Sequence, residues 1–270
     1  MGAPNSLAAN GHAAIDQPEK DGTTLLCAAS QQGCRDCVQL LLATQAIVDM
    51  PDNSGATPMN AACFSGHGSC VQLLLAGHAA VDQPDEIGLT PLHTTCNEDQ
   101  GDCLQLLLAA RAALNPPDSD GDTPLHIASG QGHGDCVQRL LAAHAGIDRL
   151  NNMSGTPLRV ACQQGNGDCV QLLLNAHAAV DQPAISGVTS LMIACSEGHA
   201  GCVQLLLAAH AAADPPDYTG ATPLFVACGE GRGDCVLLLL DAHAAVDQAD
   251  NNGITPLQAA CEEGSLDIVK

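Results

Sequence analysis

Fifteen cysteines and eleven histidines in 270 residues are the side chains with which this chain could do chemistry, as thiolate nucleophiles, redox pairs or metal ligands. Their spacing argues for a different use. One column holds Cys63, Cys96, Cys162, Cys195, Cys228 and Cys261, and a second holds Cys37, Cys70, Cys103, Cys136, Cys169, Cys202 and Cys235. Ser30 and Ser129 replace cysteine in the first column and Ile268 continues the second, so a small, mostly apolar group suffices at each place. Free cysteine packs as a compact hydrophobe, and the columns read as core positions. A disulfide between columns, such as Cys63 with Cys70, stays open and would need an oxidising compartment. Cys34-Arg35-Asp36-Cys37 is a C-x-x-C at a helix start, where a thiolate is favoured, but no second copy exists to complete a zinc site. No metal or cofactor site is expected.

Histidines form a third column: His12, His78, His144, His177, His210 and His243, with Gln45 and Arg111 in its gaps. Neighbouring members stand one structural layer apart, about 10 Å. Shared coordination at ~2 Å bond lengths is therefore excluded, and solvent-facing corner residues are expected. The sharper alternative is a weak pH response, because such a row charges near pH 6–7. No Ser-His-Asp order, phosphate loop or paired-carboxylate cleft stands outside the periodic pattern, so no catalytic residues are assigned. The chain reads as a non-enzyme.

Thirty acidic residues against eight Lys and Arg leave a net charge of −22, which repels phosphate backbones and argues against a nucleic-acid partner. No stretch approaches ~20 uninterrupted apolar residues, so no membrane span is expected. Residues 1–10 lack the basic start and apolar run of a secretory signal. A reducing interior is the expected compartment, cytoplasmic with the nucleus as alternative. Aromatic residues make up 1% of the chain, so its core must come from Leu, Ala, Val and Cys.

The elements that position these columns repeat every 33 residues. Gly22, Gly55, Gly88, Gly121, Gly187, Gly220 and Gly253 mark the period, with Ser154 in the one missing place. Two residues later comes Thr24, Thr57, Thr90, Thr123, Thr156, Thr189, Thr222 or Thr255, followed by Pro in six of the eight copies. Thr caps a helix and Pro suits its first turn, which predicts a short helix such as residues 58–65, ending at Gly66. A second helix follows near Ser69 and carries Val71-Gln72-Leu73-Leu74-Leu75. Three adjacent leucines predict cover on more than one side, which stacked copies supply and a single hairpin cannot. The remaining segment, such as residues 78–88, predicts an extended loop. Asp99 in place of a helix-ending glycine predicts a distorted turn, and the Ser154-Gly155 shift predicts a re-aimed loop.

Thr123-Pro124-Leu125-His126-Ile127-Ala128 carries the T-P-L-H-x-A signature and Thr90-Pro91-Leu92-His93 its first four positions, and with the 33-residue period they make the chain resemble the ankyrin repeat family over about residues 11–270. The resemblance implies an all-α solenoid with short β-turn fingers, a curved stack of helix-turn-helix units. Seven layers at about 8–10 Å would extend on the order of 70 Å. Residues 1–21 read as a partial N-terminal repeat, 22–252 as seven full repeats, and 253–270 as a truncated eighth. The end at residues 265–270, before a leucine run, reads as a fragment or as a face that something else covers. The family pattern places glycine at the histidine column, in left-handed conformation, and His93 and His126 where they would tie neighbouring loops by hydrogen bonds.

Ankyrin repeats are expected to bind partner proteins at the finger tips and the exposed side of the first helix. Carried over by position, the contact residues are Phe64, Ile87, Leu89, Glu98, Asp122, Met153, Ile185, Val188, Glu197, Tyr218, Glu230 and Ile254. Phe64 and Tyr218 are the expected anchors, because aromatic residues are so scarce here. Nineteen of the thirty acidic residues sit at periodic positions, so most negative charge belongs to caps and turns. The remainder, including Glu98, Asp122, Glu197, Glu230 and Glu262, favours a basic or mixed-charge protein. The expected function is a monomeric, non-enzymatic interaction scaffold. The alternatives are a thiol-based metal or redox protein, a piece of a larger regulator such as a ubiquitin-ligase adaptor or kinase, and a duplicated array with no dedicated partner.

Overall fold

First helices start where a Thr leaves extended backbone, as at Thr24, Thr57, Thr90, Thr156, Thr189, Thr222 and Thr255. The computed structural model describes residues 15–265, and among these the chain forms fifteen α-helices that alternate as first and second helix of a repeat. Two compact units divide at Pro124 and Leu125. The first contains α1 (Leu25–Gln31), α2 (Arg35–Ala43), α3 (Pro58–Phe64), α4 (Gly68–Ala76), α5 (Pro91–Asn97) and α6 (Gly101–Ala109). At the division lies α7 (Pro124–Gln131). The second unit continues with α8 (Gly134–Ala142), α9 (Pro157–Gln164), α10 (Gly167–Asn175), α11 (Ser190–Glu197), α12 (Ala200–Ala208), α13 (Pro223–Gly229), α14 (Gly233–Asp241) and α15 (Pro256–Glu263). In each unit first helices pack on first helices and second on second, as in α1 on α3 and α10 on α12. The readings that concern His12, Asp267, Ile268 and the two chain ends lie outside the described residues.

Thr24, Thr57, Thr156, Thr189, Thr222 and Thr255 each accept the N–H three residues on, satisfying a donor that the first turn leaves open. The second helices start differently. Their N-caps, such as His67, Gln100 and Arg232, make no side-chain cap bond. Asp36, Asp102, Asp135, Asp168 and Asp234 sit inside the first turn, where they complement the helix dipole instead of capping it. Cys70, Val71 and Leu74 of α4 are fully buried, while Leu73 and Leu75 are half-buried. The same division recurs in α6, α10 and α12.

One implication of the resemblance is corrected here. The loops are not β-turn fingers: among the described residues there is no β-strand. Six of the eight loops are tight turns headed by Asp or Asn, whose carboxylate or amide oxygen takes the backbone N–H groups that a ladder would need; Glu19 and Ala184 head the other two. Asp52 Oδ1 accepts from Ser54 at 2.8 Å and Ala56 at 3.0 Å, and Asp85 Oδ1 from Ile87 at 3.0 Å and Leu89 at 2.8 Å. Neighbouring loops share a single backbone bond where they are joined, such as Glu86 N–H to Ser54 O at 3.0 Å or Tyr218 N–H to Ser186 O at 3.0 Å, too few for paired strands.

A second set of carboxylates works between repeats. Asp16, Asp49 and Asp82 accept the N–H groups of Ile47, Ala80 and Ala113 at 2.8–2.9 Å in the first unit. In the second, Asp148, Asp181 and Asp214 do the same for Ala179, Ala212 and Ala245 at 2.8–3.0 Å. The sequence reading made these acids local turn residues. Within each unit they join one repeat to the next.

The left-handed positions hold. His78, His144, His177, His210 and His243 have φ between 61° and 66°, as do Gln45 and Arg111, and all seven are exposed. Asp99 at φ 54° takes the place of glycine without distorting its turn, since Gln100 N–H still reaches Thr95 O at 2.9 Å. Ser154 at φ 56° occupies the period position itself, and Ser154 N–H reaches Asn151 O at 2.9 Å. That turn is conserved in form, so the glycine shift does not re-aim it.

His93 shows how the buried motif position works. Thr90 N–H donates to His93 Nδ1 at 3.1 Å, which makes Nε2 the protonated nitrogen, and Nε2–H donates to Asp122 O at 3.1 Å. Asn60 performs the same two tasks, accepting from Thr57 N–H and donating to Leu89 O. Burial holds the His93 imidazole below its ordinary range, so the unfolded chain binds its proton more readily than the folded one. The contribution of His93 to stability is complete above pH ~6.5 and falls as pH drops through that value toward the folded pKa. Urea midpoints between pH 7.5 and 5.5 should therefore fall less steeply for His93→Asn than for the parent chain. Equal slopes would remove His93 from the pH response.

Candidate partner-binding site

Within the first unit, the exposed ends of three first helices and two loops enclose a cleft of about 340 Å3. Phe64, at the end of α3, is 52% exposed and lines it with Leu89, Asn60, Asp52, Asp85 and Glu98. Phe64 stays outside the core because the helix ends there: Ser65 is the C-cap, and the buried face of α3 is already filled by Met59, Ala62 and Cys63. Glu98 caps the C-terminus of α5 and accepts a hydrogen bond from Asn97 Nδ2 at 2.7 Å. Of the five residues expected here, the structure thus brings three together. Ile87 is exposed at a loop tip, and the Asp122 backbone belongs to the turn, with its N–H on Asp118 Oδ1 at 2.8 Å and its carbonyl on His93.

In the second unit the loop tips carry the three most exposed large hydrophobic residues of the described chain, Met153, Tyr218 and Ile185. Tyr218 and Ile185 stand on adjacent loops, joined by Tyr218 N–H to Ser186 O at 3.0 Å. Val188 is half-buried and its carbonyl closes its own turn with Ala184 N–H at 2.9 Å. Glu197 and Glu230 are exposed at the ends of α11 and α13. Half-buried Ile254 lines a shallow hollow with Leu257, Gln258, Cys261 and Glu262.

The cysteines contribute packing. Twelve of the thirteen free ones are buried. Burial pushes the thiols of Cys27, Cys103 and Cys228 up to about 11, and those of Cys63 and Cys162 further, away from thiolate chemistry at neutral pH. Two column members depart from the reading. Cys37 is exposed and joined to Cys34 by a disulfide, and Cys261 is exposed. Both belong to the outermost repeats described, where no described helix covers the outer side. Cys63 and Cys70 are both free, so no bond joins the columns there. Among the described residues no group of three His, Cys, Asp or Glu is placed to hold a metal ion, and no helix is long and apolar enough to cross a membrane.

A family model described as "Ankyrin repeats (3 copies)" matches residues 5–85, 68–150, 131–219 and 191–270. The chain belongs to the ankyrin-repeat family. Among solved structures it is similar to the human ASB11 ankyrin repeat domain, a crystal structure, at 28% identity and a TM-score of 0.75. That match covers 83% of this chain and 99% of the other. No curated protein sequence matches the chain. As an ankyrin-repeat domain the chain is non-catalytic and acts as a scaffold for protein–protein interaction.

Ankyrin periodicity also hid part of the candidate site. Aspartate heads five of the eight loops, Asp52 and Asp85 among them, so this turn role masked their place on the rim of the cleft. Cys27 and Asn60 sit at framework positions and carried no signal of their own. Only the neighbouring repeat shows that these residues share one depression with Phe64.

Proposed function

We propose that this ankyrin-repeat scaffold recruits a basic or mixed-charge protein segment through the exposed ends of its first helices and its loop tips. One observation supports the reading above the others. Phe64, Ile87, Met153, Ile185 and Tyr218, all at positions that vary from repeat to repeat, are 52–79% exposed, whereas the framework hydrophobics of the inner repeats, such as Leu74, Leu107 and Leu173, are buried. Apolar anchors of this kind gain most when a partner removes them from water. The surrounding net charge of −22 selects against acidic partners and accelerates encounter with basic ones. The chain works as a monomer in the cytoplasm or nucleus, as an adaptor, and in those reducing compartments the Cys34–Cys37 pair is held as thiols.

Affinity capture from cell lysate, comparing the parent chain with a Phe64→Ala, Tyr218→Ala double variant, tests this. Both side chains are exposed, so the variant should keep its helical circular dichroism and unfolding midpoint. A protein enriched by the parent chain and lost from the folded variant is the expected result. No enriched protein would overturn the recruitment reading, and equal capture by the variant would overturn the two anchors.

A further inference from the structure

We propose that the cleft around Phe64 is a subsite for one arginine side chain, presented by the basic segment that the scaffold recruits. The inference rests on the partner reading above and specifies its chemistry at one place. The cleft is a formed depression, with Ala61, Leu89 and buried Cys27 in its lining and the Phe64 ring exposed within it. Asp52, Asp85 and Glu98 are the charged groups of the lining, which contains no Lys, Arg or His.

The two aspartates are held in place by their own turns. Their Oδ1 atoms accept the backbone N–H groups of Ser54, Ala56, Ile87 and Leu89. Their Oδ2 atoms receive no hydrogen bond from the described residues. A ligand therefore meets acceptors already oriented, with little ordering cost. The negative potential reaches the cleft lining, since Asp52 adds to burial in raising the Cys27 thiol.

A planar guanidinium suits this arrangement better than an ammonium. It stacks on an aromatic face, loses less hydration, and spreads five donors toward carboxylates on different sides. Its apolar stem can lie along Leu89 and Ala61 while the charged end reaches the rim.

The test uses the full chain, labelled with 15N, titrated with three peptides that differ only in their central residue: acetyl-Gly-Ala-X-Ala-Gly-amide with X as arginine, lysine or citrulline. Citrulline keeps the shape of arginine and removes the charge. The arginine peptide should give saturable shifts confined to amides near Phe64, Leu89 and Glu98, with lysine weaker and citrulline at least ~10-fold weaker. Phe64→Ala should weaken arginine binding roughly two- to five-fold, as loss of an exposed cation–π contact does. Glu98→Gln should weaken it while leaving the fold intact, and added salt should weaken it further. Equal binding of citrulline and arginine, shifts elsewhere on the chain, or no saturable shift would each overturn the subsite. No cellular partner is needed, so failure here and failure of the lysate capture are separate results.

Discussion

Gly55→Ala should cost about 2–5 kcal/mol of stability, whereas Gly253→Ala, at the equivalent place in a later repeat, should cost about 1 kcal/mol. Both glycines have φ of 82°, where an L side chain is strained. They differ in what a methyl group would meet. A Cβ at Gly55 would lie 2.7 Å from the backbone N of Glu86 and 3.0 Å from Asp85 Cα, on the next loop. At Gly253 no described atom lies within 4 Å. The larger loss at Gly55 comes from pushing two loops apart and breaking the Glu86 N–H to Ser54 O bond between them. Urea denaturation followed by circular dichroism measures both. Equal losses would mean that close loop approach contributes nothing beyond backbone strain. A loss at Gly55 should also loosen the cleft, because Asp52 and Asp85 stand on these two loops.

Leu173→Ala is the second large effect, at about 2–5 kcal/mol. Leu173 is the middle leucine of the α10 block and is fully buried between neighbouring second helices, where truncation leaves a cavity that close packing cannot collapse. Leu237→Gln in α14 should change stability by no more than about 0.5 kcal/mol. Leu237 is 62% exposed and occupies a position filled by Gln in the other leucine blocks, as at Gln171 and Gln204. The two leucines look alike in a hydropathy reading. Comparable destabilisation by both would contradict the assignment of one buried seam per second helix.

Much of the fold was legible because it is local. Thr before Pro predicts a capped helix start, and the Thr side chains accept N–H bonds as the residue types require. A fixed 33-residue spacing predicts repeated hairpins, and the left-handed column is what the ankyrin resemblance implies at that position. Repetition supplied the confidence that no single copy could.

The candidate site was legible in part. Variation between repeats pointed to Phe64, Leu89 and Glu98, and the structure brings them into one cleft. Variation also pointed to Val188, which is half-buried and lies within its own turn. Difference along a column reports freedom from the framework, and it does not report whether a side chain meets a neighbour.

The amino-acid sequence by itself determined the repeat, the helix starts, the cysteine columns and the acidic surface, because each depends on residues close in the chain or on composition. Tertiary structure alone decided the rest. It showed that Asp49 and its equivalents join successive repeats, that one leucine in three is sealed in most second helices, and that Cys37 and Cys261 face outward. It also showed that Asp52 and Asp85 share a cleft with Phe64. These outcomes depend on which surface of one repeat is covered by the next, and a periodic sequence presents the same residues whether or not a neighbour is there.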